Sequence, residues 1–462
     1  MRNFLTTRVK SPKISTAFQF SMSFVILALI GSLLLWMPFF QRDPGAHSYF
    51  DHFLTSVSLV SVSGMGALPV GPTYNIFGQI ICLILIQVGG LGVVTFINFG
   101  LYTMNQRISL KNQYMLQEVF SRDTNENFSS FLLSIYQFSI VSELIGSAIL
   151  MIDFIPRYGF FEGIFNSFFL AVSAFNNSGF NNLGPGSLEP FNSNPLVLLT
   201  TSALVILGGI GFIVWFEVKE RVMEYLTSKP RSLKLATQHL SVHTKIVLKT
   251  TAILLVSGTM MMFLIEVNNP ESMIDMSAGD QFLNSFFLSV NSRTAGYTSI
   301  FYQDLQPITK FILMTLTIIG GAPGGTAGGI KVTSVAILYL VIRSELNGWT
   351  DVVVYKRTIP QAIVRKAILI SLFFVIMLAT GFGLLLLTHP TIPALDLMFE
   401  TVNALGTSGI SLNTTDLLNP FGKIILVILM LAGRVGPITL VIGLLQKKER
   451  KVKYADAQIH LG

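Results

Sequence analysis

The chain has 462 residues, of which 51% are hydrophobic and only 12% are charged. Soluble domains carry about twice that charged fraction, and the mean hydropathy of +0.63 argues in the same direction. This composition excludes an ordinary soluble enzyme and predicts a polytopic membrane protein that is surrounded by the lipid bilayer. The only cysteine, Cys82, excludes an intrachain disulfide and is interpreted as an apolar packing residue.

Apolar runs long enough to cross the hydrocarbon, at ~20 residues each, predict eight transmembrane helices. They fall at about 17–40, 73–100, 130–153, 195–216, 246–267, 307–342, 365–388 and 421–445. The first run is too long for the core of a signal peptide, so it is interpreted as a membrane span.

The net charge of +7 could suggest a nucleic-acid partner, but the distribution of the charges favours another explanation. Most of the 31 lysines and arginines lie before the first span, after the last, or in every second loop between them. The positive-inside rule therefore places both termini and the basic loops in the cytoplasm of a multi-pass plasma-membrane protein. No nucleic-acid partner is expected.

Four short segments alternate with these spans, and each runs from an apolar stretch into a turn that ends in glycine. They are FLTSVSLVSVSG (53–64), NSFFLAVSAFNNSG (166–179), NSFFLSVNSRTAG (284–296) and MFETVNALGTSG (398–409). Their final glycines are 115, 117 and 113 residues apart. This regular period predicts an all-α protein of four pseudo-repeated units, each consisting of a helix, a re-entrant pore helix with its loop, and a second helix, around one pore. The units are predicted at 1–127, 128–245, 246–362 and 363–462, the last including the C-terminus.

The turns at the ends of these segments predict a filter for a dehydrated monovalent cation such as potassium. Inward-facing backbone carbonyls suit such an ion, because full carboxylates would hold it too tightly to release it. Glycine allows the required backbone angles at little cost. The predicted carbonyl ligands are Val62, Ser63, Gly64, Asn177, Ser178, Gly179, Thr294, Ala295, Gly296, Thr407, Ser408 and Gly409. The longer TVGYG filter is absent, and the third segment is one residue shorter than the second.

A second set of small residues follows each turn. The first two, Gly89-Gly90-Leu91-Gly92 and Gly208-Gly209-Ile210-Gly211, are interpreted as sites of close helix packing. The third continues as GGAPGGTAGGIK over 320–331, which predicts an interrupted span. Because no preceding strand or Walker spacing accompanies it, a phosphate-binding loop is rejected. A movable gating loop at 320–329 is predicted instead, with Gly320, Gly321, Gly324, Gly325, Gly328 and Gly329.

Three charged residues fall within the membrane pattern. Arg434 is predicted to act at the gate, either as an electrostatic barrier or by binding carbonyls of residues 320–329. Arg293 is expected to point away from the pore and pair with an outer acid such as Asp280. Glu143 is expected to pair with a basic group or bind a coupling ion, and a structural role is favoured.

Taken together, these motifs closely resemble the Trk/Ktr/HKT superfamily of potassium transporters. The resemblance rests on the four units, the filter glycines, SRTAGY at 292–297, the glycine-rich interruption and Arg434. Because the chain lacks an extra N-terminal helix pair, it is most similar to the Ktr-type membrane subunit. The resemblance implies a homodimer on a cytoplasmic nucleotide-binding regulatory ring (KtrA-like), potassium in the filter, and sodium as a possible coupling ion.

The sequence therefore predicts potassium uptake, with no organic cofactor and no enzymatic activity, since no nucleophile–base or HExxH motif occurs. One alternative is a sodium-selective or poorly selective cation transporter of the same superfamily. A non-conducting membrane scaffold for a cytoplasmic complex is an alternative from a different class.

Overall fold

The computed structural model describes residues 16–66, 68–92, 96, 128–184, 186–227 and 239–436. Within these ranges the regular secondary structure is almost entirely α-helical. The α-helices are α1 (Thr16–Trp36), α2 (Tyr49–Ser61), α3 (Val70–Thr73), α4 (Ile76–Leu91), α5 (Phe128–Tyr158), α6 (Phe160–Phe175), α7 (Pro195–Gly209), α8 (Phe212–Thr227), α9 (Val242–Glu266), α10 (Ala278–Asn291), α11 (Pro307–Ile318), α12 (Val332–Leu346), α13 (Gln361–Thr388), α14 (Ala394–Gly406) and α15 (Pro420–Val435). Two short antiparallel strands, β1 (Val353–Val354) and β2 (Arg357–Thr358), form a hairpin.

Helices occupy each of the eight predicted spans, so the polytopic helical fold is confirmed. In the described part, three helices are long and apolar enough to cross a membrane unbroken, namely α5, α9 and α13. The pair α7 and α8 reaches that length only together. The fourth unit's α15 ends at Val435, and residues 437–445 of the eighth predicted span lie outside the described residues, as do positions 93–95 and 97–100 of the second.

The second helix of three units begins with the same local signal. The side chains of Asn75, Asn194 and Asn419 accept hydrogen bonds from backbone N–H groups in the first turn. An asparagine in this position satisfies donors that have no partner within the helix. Proline follows directly in two cases, and its fixed φ suits the first helical residue.

The four short segments form the pore helices α2, α6, α10 and α14. Each begins four to six residues before the predicted repeat, because the capping residues precede the apolar stretch. Ser48 caps α2 in a reciprocal pair with Asp51, and Ser277 caps α10. The last two turns of all four pore helices are buried, so their ends meet in the centre of the protein.

The second glycine set, at 208–211, combines close packing with a break in the helix. A Cβ atom at Gly208 would collide with the carbonyl oxygen of Phe175 at the end of α6, so the packing interpretation agrees with the structure there. The chain bends by 102° between α7 and α8, where Ile210 and Gly211 interrupt the helix. Gly211 has a φ of +93°, which a glycine adopts without steric cost. The first set agrees with packing, since a Cβ atom at Gly89 would collide with the carbonyl of Val60.

A buried carboxylate joins the ends of the helices in the third unit. Glu266 ends α9 and accepts hydrogen bonds from Asn269 at 2.6 Å, Ser272 at 2.6 Å, Thr309 at 2.5 Å and the backbone N–H of Gln306 at 3.0 Å. Four donors satisfy one carboxylate, so a buried charge is tolerated here without a basic partner.

Replacing Glu266 with alanine is expected to leave these donors unpaired and to cost about 3 kcal/mol or more of folding free energy. Thermal unfolding of the purified chain in detergent should show a clear drop in Tm. Glu271→Ala removes an exposed carboxylate from the same connection and serves as the control. Equal melting temperatures for the two variants would contradict the structural role of Glu266.

Candidate filter and gate

The four glycines that end the pore-helix segments lie in one closed ring. A Cβ atom built on Gly64 would lie 2.7 Å from the carbonyl oxygen of Ser178, and one on Gly179 would lie 2.5 Å from that of Ala295. In the same way, a Cβ atom on Gly296 would lie 2.5 Å from the carbonyl oxygen of Ser408. One on Gly409 would lie 2.8 Å from the carbonyl oxygen of Ser63, which closes the ring. Each glycine therefore abuts the turn of the next unit, in chain order around the ring.

The backbone of the four turns follows one repeated pattern. In every turn the first and third residues have positive φ, whereas the second does not. The first residues are Val62 at +56°, Asn177 at +56°, Thr294 at +77° and Thr407 at +53°. Alternating the sign of φ turns successive carbonyls toward the same side, which a regular strand cannot do. Sequence reasoning anticipated this strain only at the glycines and missed it at the four side-chain-bearing positions.

Positive φ at a β-branched residue such as Val62 or Thr407 is uncommon and costs roughly 1–3 kcal/mol. The surrounding contacts must therefore enforce it. All four first residues are buried, and each follows directly on a pore helix or within three residues of its end.

Many polar atoms of the ring have no partner within the described part of the chain. The carbonyls of the first two residues in every turn accept no hydrogen bond there. Four hydroxyls of the turns are buried and likewise unpaired, those of Ser178, Thr294, Thr407 and Ser408. Because buried polar groups almost always find a partner, this ring favours a polar or charged occupant. No carboxylate belongs to the turns, so the ring offers partial charges only.

Tyr297 supports the ring from behind. This fully buried residue follows Gly296, and its hydroxyl donates to Ser173 in the neighbouring pore helix at 2.7 Å. Its backbone N–H donates to the side chain of Asn291 at 2.8 Å. Asn291 also donates to the hydroxyl of Tyr302 at 2.7 Å. The third turn is thus linked to the second unit, a contact that the sequence motif SRTAGY did not reveal by itself.

The predicted gating loop lies between α11 and α12, where no helix forms. Its two ends pair with each other, since the N–H of Gly320 donates to Ile330 at 3.0 Å and that of Gly321 to Gly328 at 3.3 Å. A Cβ atom at Gly320 or Gly328 would collide with neighbouring atoms, so the ends approach closely only because they lack side chains. The span is interrupted, as the glycines predicted.

The tip of the loop fits into the bend between α7 and α8. The N–H groups of Ala322 and Thr326 donate to the carbonyls of Gly209 and Gly208, at 2.9 and 3.1 Å. In return, the N–H of Phe212 donates to Gly324 at 3.2 Å. Backbone groups that two broken helices leave unpaired at membrane depth therefore satisfy one another.

Thr326 connects this loop to the ring of turns. Its hydroxyl donates to the carbonyl of Phe175, the last residue of α6, at 3.1 Å and lies 3.4 Å from the side chain of Asn177. Across the ring, a Cβ atom at Gly328 would collide with the hydroxyl of Thr407. The loop consequently lies directly against the turns. Thr326 was not predicted, because a lone threonine among glycines carries no distinctive pattern.

Three cationic side chains donate to carbonyls of the loop. Arg434 donates to Thr326 and, at 2.6 Å each, to Gly89 and Gly90 of the first unit. Lys331 donates to Ala327 at 2.7 Å, and Arg293 donates to Gly320 at 3.3 Å. These contacts come from the last helix, from the end of the loop itself and from the third turn, so three parts of the chain hold the loop.

The predicted pairing of Arg293 with Asp280 is wrong. Asp280 accepts from Ser277 in the first turn of α10, whereas Arg293 follows the other end of that helix. Thirteen residues of helix separate them by ~20 Å. Arg293 points toward the loop instead, where Thr251 and Gly320 accept its hydrogen bonds.

Glu143 lies behind the second turn and contacts amides rather than a basic group. Its carboxylate accepts from Gln87 at 3.0 Å and from Asn176 at 3.4 Å, and Gln87 in turn accepts from Asn176 at 2.7 Å. Asn176 directly precedes the second turn. This buried cluster therefore holds the first residue of the turn in position from outside the ring.

The fold and the central ring define a membrane protein of the pore-loop class. The model of one family, TrkH, described as a cation transport protein, matches residues 3–451. The chain therefore belongs to the TrkH family of cation transport proteins.

Relatives of similar length support this assignment. The chain is 32% identical to Ktr system potassium uptake protein B of Bacillus subtilis, over 96% of both chains. It is 34% identical to potassium/sodium uptake protein NtpJ of Enterococcus hirae, over 95% of both. Among solved structures, the potassium transporter TrkH from Vibrio parahaemolyticus matches with a TM-score of 0.73 at 17% identity, covering 96% of this chain and 87% of that one.

Replacing Thr326 with valine keeps the shape of the side chain but removes its hydrogen bond to Phe175. We expect amide hydrogens of residues 320–331 to exchange up to about fivefold faster, since one such bond contributes roughly 1 kcal/mol. Hydrogen-exchange mass spectrometry of the purified chain measures this. Thr315→Val, which removes a hydroxyl hydrogen bond on the exposed side of α11, is the control. Unchanged exchange in the loop would show that Thr326 does not hold it.

Proposed function

We propose that the chain takes up potassium ions across the plasma membrane, through a carbonyl filter at the four turns and past a gate formed by residues 320–329 and Arg434. The single observation that carries this proposal is the closed ring of four glycine turns, whose unpaired carbonyls face no carboxylate. The names of the relatives, which include potassium uptake proteins, agree with it.

The filter chemistry follows from partial charge and close packing. In the proposed filter, carbonyls of the three residues in each turn replace the water around a dehydrated ion. The C-terminal ends of the four pore helices add a favourable field for a cation. Because the ring has no full negative charge, the ion is released as readily as it is bound.

The gate combines a physical barrier with an electrostatic one. The loop lies against the turns of the second and fourth units, so an ion leaving the ring would meet it directly. Arg434, Lys331 and Arg293 place positive charge on that loop and bind its carbonyls. Conduction then requires the loop to withdraw, and its small residues make withdrawal sterically easy.

We further propose that the chain is the translocating subunit of a Ktr-like system. The relative from Bacillus subtilis is named as part of such a system, which implies at least one further component. In this proposal two copies of the chain form a homodimer on a cytoplasmic nucleotide-binding regulatory ring. Both termini then face that ring.

A second candidate is a transporter that also carries sodium. The relative from Enterococcus hirae, at 34% identity, is named a potassium/sodium uptake protein. Sodium could be a second permeant ion or the coupling ion. A potassium transporter and a transporter of both ions would use the same ring, so the two candidate functions differ in ion selectivity rather than in site.

Uptake of labelled potassium and sodium by the chain in transport-deficient cells tests the proposal. We expect saturable potassium uptake that excess sodium inhibits only weakly. A preference for sodium would favour the second candidate. Absence of flux for both ions, together with correct insertion and intact regulators, would favour a non-conducting scaffold.

Replacing Gly296 with serine is expected to lower the ratio of potassium to sodium uptake by at least about tenfold, because the ring has no room for the new Cβ atom. Gly45→Ser is a matched control. Gly45 has a nearly identical φ, +85° against +86°, but no atom lies within 4 Å of its Cβ position. Unchanged selectivity in a well-folded Gly296→Ser protein would refute the filter.

Deleting residues 322–327 removes the loop tip at a point where Gly321 and Gly328 already share a hydrogen bond. We expect faster potassium flux into proteoliposomes that hold the chain without regulators, and Arg434→Gln should act in the same direction. Arg365→Gln, which neutralises an exposed arginine on α13, is the control. Unchanged or lower flux in both variants, with folding intact, would refute the gate.

A further inference from the structure

A large cavity lies between α9 and α12, and none of its lining residues belongs to the four turns or to the loop. Its volume is about 970 Å³, and the hairpin of β1 and β2 borders it. The lining residues of α12 recur on one face, at 335, 336, 339, 340 and 343. Those of α9 run from 246 to 254. The cavity therefore follows two neighbouring helices from the level of the broken span toward the side of the basic loops.

The walls of this cavity change character along its length. Ile253, Leu254 and Val335 make the part near the middle of the membrane apolar. Toward the side of the basic loops, Lys249, Arg343 and the aromatic residues Tyr339, Trp349 and Tyr355 line the cavity, together with the apolar residues Ile246, Leu340, Val353 and Val354. Aromatic rings with one polar edge favour the boundary between hydrocarbon and headgroups. The cations of the cavity thus lie toward the membrane surface and its purely apolar part lies toward the middle of the membrane, as do the headgroup and the acyl chains of a phospholipid.

Two cations in the cavity have no counter-ion. Lys249 and Arg343 are both exposed, and neither side chain makes a hydrogen bond or ion pair with any residue in the described ranges. By contrast, Lys245 one turn away lies over the ring of Tyr355 at 5.8 Å. Two free positive charges beside an apolar channel favour an anionic headgroup.

The length of the cavity agrees with such a ligand. Eight residues of helix, from 246 to 254 or from 335 to 343, extend ~12 Å. One leaflet contributes ~15 Å of hydrocarbon. An acyl chain from the leaflet on the side of the basic loops can therefore lie along the apolar part while its phosphate remains at the charged end.

We propose that this cavity binds an anionic phospholipid, with the phosphate on Lys249 and Arg343 and an acyl chain against Ile253, Leu254 and Val335. The inference is independent of the proposed ion pathway. The chain's own C-terminal segment is a poorer occupant, because Lys447, Lys448, Arg450, Lys451 and Lys453 give it the same charge as the cavity.

Fluorescence quenching tests the site in the full chain, because Trp349 lines the cavity. The protein is reconstituted in phosphatidylcholine vesicles that contain increasing fractions of brominated phosphatidylglycerol or, separately, brominated phosphatidylcholine. The contribution of Trp349 to the fluorescence is the part that is lost in Trp349→Phe. We expect this contribution to reach half of its maximal quenching at a mole fraction of brominated lipid that is at least about fivefold lower for phosphatidylglycerol than for phosphatidylcholine. High salt should weaken this preference in the unmodified chain.

The variant Lys249→Ala/Arg343→Ala should abolish the preference, whereas Arg365→Ala/Lys366→Ala removes two cations from exposed positions on α13 and should keep it. Equal quenching by both lipids, or a preference that survives loss of Lys249 and Arg343, would overturn the proposal. So would efficient disulfide formation between two copies through Tyr339→Cys in a Cys82→Ser background, since a second copy would then fill the cavity. Because the readout is lipid contact, a failed ion-uptake experiment leaves this result unaffected.

Discussion

The structure depends on four glycines that touch around one ring. Each lies so close to the next unit that a single methyl group would strike its backbone, at 2.5–2.7 Å from the nearest atom. Side chains are therefore excluded at these four positions, and the polar atoms of the ring are backbone carbonyls and the short hydroxyls of neighbouring residues. The pore helices, their buried last turns and the strained residue at the start of each turn all serve to bring these four positions together.

A related constraint shapes the layer next to the ring. Backbone left unpaired in a membrane is costly, yet within the described ranges two spans are interrupted and then resume as helices, at 210–211 and at 319–331. The two breaks face each other and exchange hydrogen bonds, so each satisfies backbone groups of the other. Remaining carbonyls of the loop accept from Arg434, Lys331 and Arg293. The same contacts that stabilise the break also place positive charge where a cation would have to pass.

Much of this organisation could be predicted from residue patterns. Apolar runs locate the spans, and the charge in alternate loops predicts their orientation in the membrane. A constant period relates the four turns. All three are properties of local sequence. Contacts between distant segments were harder to predict. Asp280 was suggested as an outer acid that could pair with Arg293, although a helix holds the two ~20 Å apart. The second glycine set packs closely, as its small residues predict, but neither its 102° bend nor the loop of another unit that fits into the bend was predicted.

By itself, the sequence determined the polytopic helical architecture, the four glycine turns, the interruption at 320–329 and the membership in a family of cation transporters. These features depend on residue type and spacing, which the chain carries locally. Only the tertiary structure decided which unit each turn touches, that Thr326 joins the loop to the second turn, and that three cations hold the loop. It also revealed the amphipathic cavity between α9 and α12. Those relations link residues up to 345 positions apart, and packing in three dimensions alone selects them.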